Sequence, residues 1–168
     1  FREIARFIPE VGTQIAMATL HARGPEDVAA VEGRIIRVRD SPKAVGRVWF
    51  GASRHLANII LTAMKYDENI RACMNLRYDP DLLEAFKKCG FYISSFDRKL
   101  EPPEVKSREG GTLSWGVNEA ITTFGCVPDV VFDLGEVGKE PMIRVLGSSA
   151  TEVLNKVKKA VKKSGNSK

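Results

Sequence analysis

The stretch ACMNLRYDPDLLEAFKKCGFYISSFD, residues 72–97, contains the clearest local structural signals in the sequence. Its first seven residues predict a strand, and its last seven predict another. Between them, Asp79 is a good helix N-cap, Pro80 suits the first helical position, and Gly90 stands where a helix would end. The stretch is therefore expected to form a strand, a helix and a second strand, which is an arrangement typical of α/β proteins.

The pattern of alternating strands and helices continues toward the C-terminus. A helix is predicted at 114–124, and strands are predicted at 127–135 and 141–147. The last helix begins with a capping box, because Ser149 is followed three residues later by Glu152.

The first half of the chain favours strands joined as hairpins. Residues 9–20 are predicted to be extended and 35–38 to form a strand, with a turn at 41–43 leading into a strand at 44–50. A helix is then expected to begin at Arg54. Together the two halves predict an α/β protein, specifically a three-layer α/β/α sandwich with a mixed sheet.

Length and charge predict one domain over residues 1–163 and a flexible C-terminal tail at 164–168. The net charge is +5, and the six lysines and one glutamate of residues 151–168 account for all of it. A nucleic-acid-binding domain normally carries a basic face, so this distribution argues against nucleic acid as a partner. No apolar run reaches the length needed to cross a membrane, so a membrane partner is not expected either.

The cysteines and histidines argue against a disulfide framework and against a metal site made of histidines. Cys73, Cys89 and Cys126 are widely spaced and form no CxxC pair, so they are expected to be reduced in a cytoplasmic protein. His21 and His55 are too few to form a metal site by themselves.

The helix start within FGASRH, residues 50–55, is the best candidate for binding a ligand. Ser53 can cap the helix by accepting a hydrogen bond from a backbone N–H group. Arg54 and His55 add a guanidinium and an imidazole at the positive end of the helix dipole. Such a helix end favours an anion, and phosphate is the commonest biological candidate. The alternative is an ordinary capped helix with a solvated arginine.

Three further stretches place polar residues near strand ends or helix starts, where ligands gather in α/β sheets. They are EGRIIRV (32–38), SSFDRK (94–99) running into GGTLSWG (110–116), and DLGEVGKEP (133–141). Each also has a structural interpretation, as a solvated strand, a flexible turn or a surface ion pair. Neither a dinucleotide-binding fingerprint nor a P-loop is present. The residues alone therefore predict an α/β domain that binds a phosphorylated ligand.

Residues 98–112 form a polar segment with two prolines and two glycines. This composition predicts a mobile loop. Because the loop adjoins candidate site residues, we expect it to act as a lid that excludes water from the site.

Eight motifs in order carry a resemblance to a known family. They are PEVGTQIA, DVAAVEGRIIRV, FGASRH, MNLRYD, FDR, EGGTLSWGV, PDVVFDLG and GKEPMIRVLG. They resemble the ThiN domain, the archaeal-type thiamine-phosphate synthase, over about residues 7–160. Where this family often has Asn, the chain has Gln14.

The resemblance implies an enzyme that joins hydroxymethylpyrimidine diphosphate to hydroxyethylthiazole phosphate, which gives thiamine monophosphate and diphosphate. The catalytic arginine and histidine of the family match Arg34 and His55. Mg²⁺ is expected with the diphosphate, and Asp97 and Asp133 are candidate ligands for it. The candidate substrate- and phosphate-binding residues are Ser53, Arg54, Asn75, Asp97, Arg98, Thr112, Ser114 and Lys139.

The resemblance also implies a fold similar to the class II aldolase (AraD-like) sandwich, although the chain lacks a histidine cluster for an aldolase zinc site. The family commonly follows a hydroxymethylpyrimidine kinase domain in one polypeptide, and it is compatible with a homo-oligomer. A second branch fuses the domain to a helix-turn-helix domain, as a regulator that senses thiamine phosphates. The presence of both Arg34 and His55 favours the synthase, because sensing needs binding but not catalysis.

Overall fold

The structure is a computed structural model that describes residues 1–108 and 110–165. The strands are β1 (Gln14–Ala18), β2 (Val28–Val31), β3 (Ile35–Val38), β4 (Ser41–Ala44), β5 (Val48–Phe50), β6 (Ala72–Arg77), β7 (Ile93–Ser95), β8 (Val130–Asp133) and β9 (Met142–Gly147). The α-helices are α1 (Arg54–Met64), α2 (Pro80–Lys88), α3 (Pro103–Lys106), α4 (Gly111–Phe124) and α5 (Ala150–Gly165). Short 3₁₀ helices span Arg2–Phe7, Pro25–Asp27 and Arg98–Leu100.

A seven-stranded mixed sheet forms the centre of the fold, with the strand order β5–β2–β1–β6–β9–β8–β7. Strands β7 and β8 are parallel, and the other neighbours are antiparallel. Helices α1 and α4 pack on one face of the sheet, and α2 and α5 cover the other face. The predicted α/β class and the mixed sheet are therefore confirmed.

The strand–helix–strand stretch forms as its sequence predicts. The Asp79 carboxylate accepts a hydrogen bond from the Leu82 backbone N–H at 2.9 Å, and Pro80 is the first residue of α2. Leu82 and Phe86, one helical turn apart, are fully buried against the sheet. Gly90 follows the helix with a φ of +83°, a backbone conformation that favours glycine.

The turn predicted at 41–43 is wrong, because those residues belong to a strand. Strands β3 and β4 pair with Val38 opposite Ser41, so the hairpin loop consists of Arg39 and Asp40. Pro42 is tolerated within β4 because both strands of this two-stranded sheet are edges, where a missing N–H donor can face away from the partner.

The segment 98–112 is more ordered than the predicted loop. It begins with the 3₁₀ helix Arg98–Leu100, continues into α3, and ends where α4 starts, at Gly111 rather than at Ser114. Arg98 and Glu101 are buried, and the 2.6 Å ion pair of Arg98 with Asp133 anchors the beginning of the segment to the core.

The last helix continues beyond the predicted domain end. Helix α5 extends to Gly165, and the buried Ser164 accepts a hydrogen bond from the Arg6 guanidinium at 2.7 Å. The predicted flexible tail therefore cannot begin at residue 164. Its remaining residues, 166–168, lie outside the described residues. No helix in the described part of the chain is long and apolar enough to cross a membrane.

Candidate functional site

A cavity of about 340 Å³ lies at one end of the central strands, on the face covered by α1 and α4. Its floor is a row of polar residues that stand directly opposite one another on three neighbouring strands: Gln14 on β1, Asn75 on β6 and Arg144 on β9. Leu56 and Leu113, from the first turns of the two helices, line its sides. The sheet and two helix starts therefore form the walls of the cavity.

Both helix starts contribute positive potential to the cavity. Ser53 caps α1, with its hydroxyl accepting from the Leu56 N–H at 3.4 Å, and α4 begins after Gly110 without a side-chain cap. The first N–H groups of a helix have no partner within the helix, and the dipole is positive at this end. Because Ser53 and Thr112 line the cavity, an anion there meets two such ends.

Arg34 reaches the cavity because the hairpin that carries it is bent. The backbones of Gly33 and Arg34 have φ values of +69° and +73°, and this bend separates the β2–β5 pair from the β3–β4 pair. Positive φ is uncommon for arginine and is found often at functional sites. The guanidinium donates a hydrogen bond to the Val11 carbonyl on the rim of the cavity.

A buried carboxylate holds two arginines that line the cavity. Asp133 lies 2.6 Å from the Arg98 guanidinium and 2.7 Å from that of Arg144. Burial alone would raise the pKa of Asp133, but the charge of Arg144 and the hydrogen bond and charge of Arg98 outweigh it, so this pKa lies below its usual value. One negative charge faces two positive charges, so the group presents net positive charge to the cavity.

Gln14 and Asn75 use their amide groups to fix the backbone around the cavity. The Gln14 amide donates to the Val31 carbonyl at 2.6 Å and accepts from the Val31 N–H at 3.0 Å, which extends the pairing of β1 with β2. The Asn75 side chain accepts from the Gln14 N–H at 2.7 Å and donates to the Gly12 carbonyl at 3.3 Å. Both side chains therefore position the floor and the rim of the cavity.

His55 lies in the first turn of α1, next to the arginines. Burial of part of its ring, followed by the charges of Arg34, Arg144 and Arg98, holds the pKa of His55 below its usual value. At pH 7 the imidazole is therefore neutral in the ligand-free protein. It can donate one hydrogen bond and accept another.

Most of the predicted site residues meet in this cavity. Those that line it are Arg34, Ser53, His55, Asn75, Arg98, Thr112 and Lys139. Arg54 lines a neighbouring cavity instead. Asp97 and Ser114 line neither cavity, and the Asp97 carboxylate caps the 3₁₀ helix that follows it by accepting from the Lys99 N–H at 2.9 Å.

Arg144 was not predicted from the sequence, although its setting contains a signal. It lies in the apolar run MIRVL, where a charged residue in a central strand needs a buried partner. That partner, Asp133, stands in one of the candidate stretches.

The residues present do not fit a metal site held by the protein. Both oxygens of Asp133 are engaged by arginines, and Asp97 lies outside the cavity, so neither fits the predicted role of Mg²⁺ ligand. Within residues 1–108 and 110–165, no three His, Cys, Asp or Glu side chains are placed to hold a metal ion together.

The chain matches a known family along most of its length. The family profile described as thiamine-phosphate synthase ThiN matches residues 2–159. The chain belongs to this family. It is 50% identical over 151 residues to the bifunctional thiamine biosynthesis protein ThiDN of Methanocaldococcus jannaschii, covering 89% of this chain and 35% of that protein. It is 38% identical over 156 residues to the thiamine-phosphate synthase ThiN of Methanothermobacter thermautotrophicus, covering 93% of this chain and 82% of that protein.

Two solved structures resemble this chain over most of its length. The C-terminal domain of a phosphomethylpyrimidine kinase superposes with a TM-score of 0.89 at 44% identity, covering 93% of this chain and 88% of that one. The L-fuculose-1-phosphate aldolase of Thermus thermophilus superposes with a TM-score of 0.52 at 12% identity, covering 99% and 89% of the two chains. The second likeness concerns the fold alone.

Proposed function

We propose that this chain is a thiamine-phosphate synthase that joins hydroxymethylpyrimidine diphosphate to hydroxyethylthiazole phosphate. The observation that carries the proposal is the cavity in which Arg34 and His55 lie beside the arginine pair held by Asp133. The family and the names of the two curated relatives support the same reaction. Both names are those of biosynthetic proteins, so they give no support to the regulator alternative.

The proposed chemistry matches the charges of the cavity. In the reaction, the bond between the pyrimidine methylene carbon and the diphosphate oxygen breaks, and the diphosphate leaves with the electron pair. The thiazole nitrogen then forms a bond to that carbon. Negative charge builds on the leaving group, so positioned cations accelerate the step. Arg34, Arg98, Arg144 and Lys139 can supply these cations.

His55 is the proposed proton donor to the leaving group. Its imidazole is neutral in the free protein, and the negative charge of a bound diphosphate would raise its pKa by offsetting the neighbouring arginines. A protonated His55 can then donate to the departing oxygen. Arg34 is proposed to contact the same diphosphate, because it lines the same cavity.

Mg²⁺ is proposed to arrive with the diphosphate. Mg²⁺ usually keeps several waters and binds through substrate phosphates, so it does not require a set of protein ligands. Binding of Mg²⁺ through the substrate agrees with a cavity whose charged lining is mainly basic.

The proposal also covers the linked domain, the fold family, the cellular location and the oligomeric state. The chain spans about a third of the M. jannaschii relative, whose bifunctional name supports a kinase domain linked upstream in the same polypeptide. The likeness to the fuculose phosphate aldolase supports a class II aldolase-like arrangement of the sheet and helices. Location in the cytoplasm and assembly into a homo-oligomer stay predictions.

The test is to incubate the purified domain with both substrates and Mg²⁺ and to follow thiamine phosphate by its conversion to fluorescent thiochrome phosphate. We expect product to form in proportion to the protein added. Tight binding of thiamine phosphate without product formation would instead support the sensor and overturn the synthase.

A further inference from the structure

A second cavity of about 530 Å³ adjoins the first. The residues that line both are His55, in the first turn of α1, and Gly110, immediately before α4. The second cavity also contacts Glu26, Arg54 and Asn58. The candidate site therefore has two compartments that meet beside the imidazole.

The two compartments differ in charge. The first is lined by Arg34, Arg98, Arg144 and Lys139, with Glu140 as the acidic side chain on its lining. The charged side chains on the lining of the second are one arginine, Arg54, and one glutamate, Glu26, within the part of the chain that the structure describes. The first compartment is therefore suited to the more highly charged ligand.

Their sizes argue for one substrate in each. Ligand pockets in proteins are roughly 300–1,000 Å³ in volume. At about 340 Å³ the first cavity is near the lower limit, so it has room for one small substrate rather than for two. A reaction that joins two phosphorylated molecules needs the second compartment as well.

We propose, on the basis of the proposed function, that the second cavity is the binding site for hydroxyethylthiazole phosphate and that the first holds the diphosphate of the other substrate. The leaving diphosphate carries the most negative charge and takes the most basic compartment. The nucleophile must approach the reacting carbon from a side that the leaving group does not occupy. The second compartment provides this approach, because it meets the first at His55.

Arg54 and Glu26 have opposite effects in this assignment. The Arg54 guanidinium can make charge-assisted hydrogen bonds to a phosphate monoester. The Glu26 carboxylate carries the same sign of charge as that phosphate, so it weakens binding. Neutralising each residue should therefore change the affinity for the thiazole phosphate in opposite directions.

The experiment compares Arg54→Gln and Glu26→Gln with Lys65→Gln, a control at the other end of α1. The KM of each substrate is measured with the other saturating. We expect Arg54→Gln to raise the KM for the thiazole phosphate about tenfold and to change that for the pyrimidine diphosphate less than about twofold. Glu26→Gln should lower the KM for the thiazole phosphate about threefold. A rise confined to the pyrimidine diphosphate, or equal for both substrates, would overturn the assignment.

Calorimetry with each substrate alone separates this proposal from the synthase proposal. If the wild-type domain makes no thiamine phosphate, the synthase proposal fails, and binding still tests the second cavity. Weaker binding of the thiazole phosphate to Arg54→Gln than to Lys65→Gln would support the site. Equal binding to both variants would overturn it.

Discussion

Asp133 at the end of β8 and Arg144 on the neighbouring strand β9 form an ion pair of 2.7 Å in which the two side chains are 0% and 4% exposed. Arg98 completes the group at 2.6 Å from the same carboxylate. The guanidinium carbons of Arg144 and Arg98 lie 5.5 Å and 5.9 Å from the centre of the Phe96 ring. Burying a charge is costly unless the charge is paired. The Asp133 carboxylate therefore makes it possible for two buried arginines to line the cavity.

Replacing Asp133 with Asn tests this dependence. The substitution leaves two buried guanidinium groups without a countercharge, and we expect it to lower the free energy of unfolding by about 3–5 kcal/mol. Asp129→Asn is the comparison, since Asp129 pairs with Lys156 at 2.6 Å but the two side chains are 23% and 12% exposed, so this substitution should cost less. Urea denaturation at pH 7 measures both. Equal losses would show that the deeper burial of Asp133 adds nothing to its effect.

Local signals in the sequence predict the elements of this fold better than they predict the shape of the site. Asp79, Pro80 and Gly90 define α2 through capping and backbone conformation, which depend on neighbouring residues alone. The bend at Gly33 and Arg34 could not be read in the same way, because arginine rarely adopts positive φ and the surrounding hairpin imposes it here.

The residues of the site also differ in whether local sequence signals predict them. The start of α1 was predictable, because Ser53 is the cap that defines it and His55 follows two residues later. Arg144 reaches the cavity only because β9 pairs with β6 and places it opposite Asn75. Pairing between strands distant in sequence is not visible in periodicity, so Asn75 was predicted from the sequence but its neighbour Arg144 on the floor of the cavity was missed.

Gly116 in α4 supports the arginine pair through Phe96. A Cβ atom at this position would lie 2.4 Å from the Phe96 ring. Alanine in a helix interior normally adds about 1 kcal/mol over glycine, but overpacking costs about 1–3 kcal/mol, and Arg98 and Arg144 restrict the movement of the ring. We therefore expect Gly116→Ala to destabilise the protein.

The matched control is Gly165→Ala at the end of α5, where the nearest atom to the added Cβ among the described residues is 4.0 Å away. This variant should be neutral or slightly more stable than the wild type. Urea denaturation of both variants makes the comparison. A stabilised Gly116→Ala would mean that the Phe96 ring moves freely and does not hold the arginines.

Arg34→Ala and His55→Ala should each lower kcat for thiamine phosphate formation by about 10²–10³, as the loss of one donor to a developing charge does in other enzymes. Arg37→Ala is the control, because Arg37 lies on β3 in the same hairpin and lines neither cavity. It should keep wild-type kcat. Thermal denaturation checks that each variant is folded, and wild-type rates in Arg34→Ala or His55→Ala would remove that residue from the mechanism.

The lowered pKa of His55 predicts proton uptake when the pyrimidine diphosphate binds. Burial and the charges of Arg34, Arg144 and Arg98 favour the neutral imidazole in the free protein. A bound anion offsets these charges and raises the pKa, so between the two pKa values binding draws a proton from solution. Below the lower value and above the higher value the uptake disappears.

Calorimetry in buffers of different ionisation enthalpy, at pH values around 6, measures this uptake. The ligand also exchanges protons, so the decisive quantity is the difference between wild type and His55→Asn. His21→Asn should behave as the wild type, because His21 lines neither cavity. The same uptake in wild type and His55→Asn would show that the bound diphosphate does not change the protonation of His55.

Residues 101–108 should close over the cavity when ligands bind. The buried Arg98 anchors the segment at one end, and Lys106 forms an exposed ion pair of 2.9 Å with Glu136 in the loop that leads to Lys139. An exposed pair adds little to stability, so it can hold the segment without preventing it from opening. Closure would exclude water, which would otherwise capture a cationic intermediate.

Hydrogen exchange tests the closure. We expect the amides of 101–108 to exchange more slowly when the domain is saturated with thiamine phosphate. Lys106→Ala should speed exchange there in the free protein without lowering the midpoint of urea denaturation, whereas Lys162→Ala on α5 should change neither quantity. Slower exchange on binding requires that the segment covers the site or becomes ordered beside it. Exchange that is the same with and without ligand would mean that the segment only connects β7 to α4.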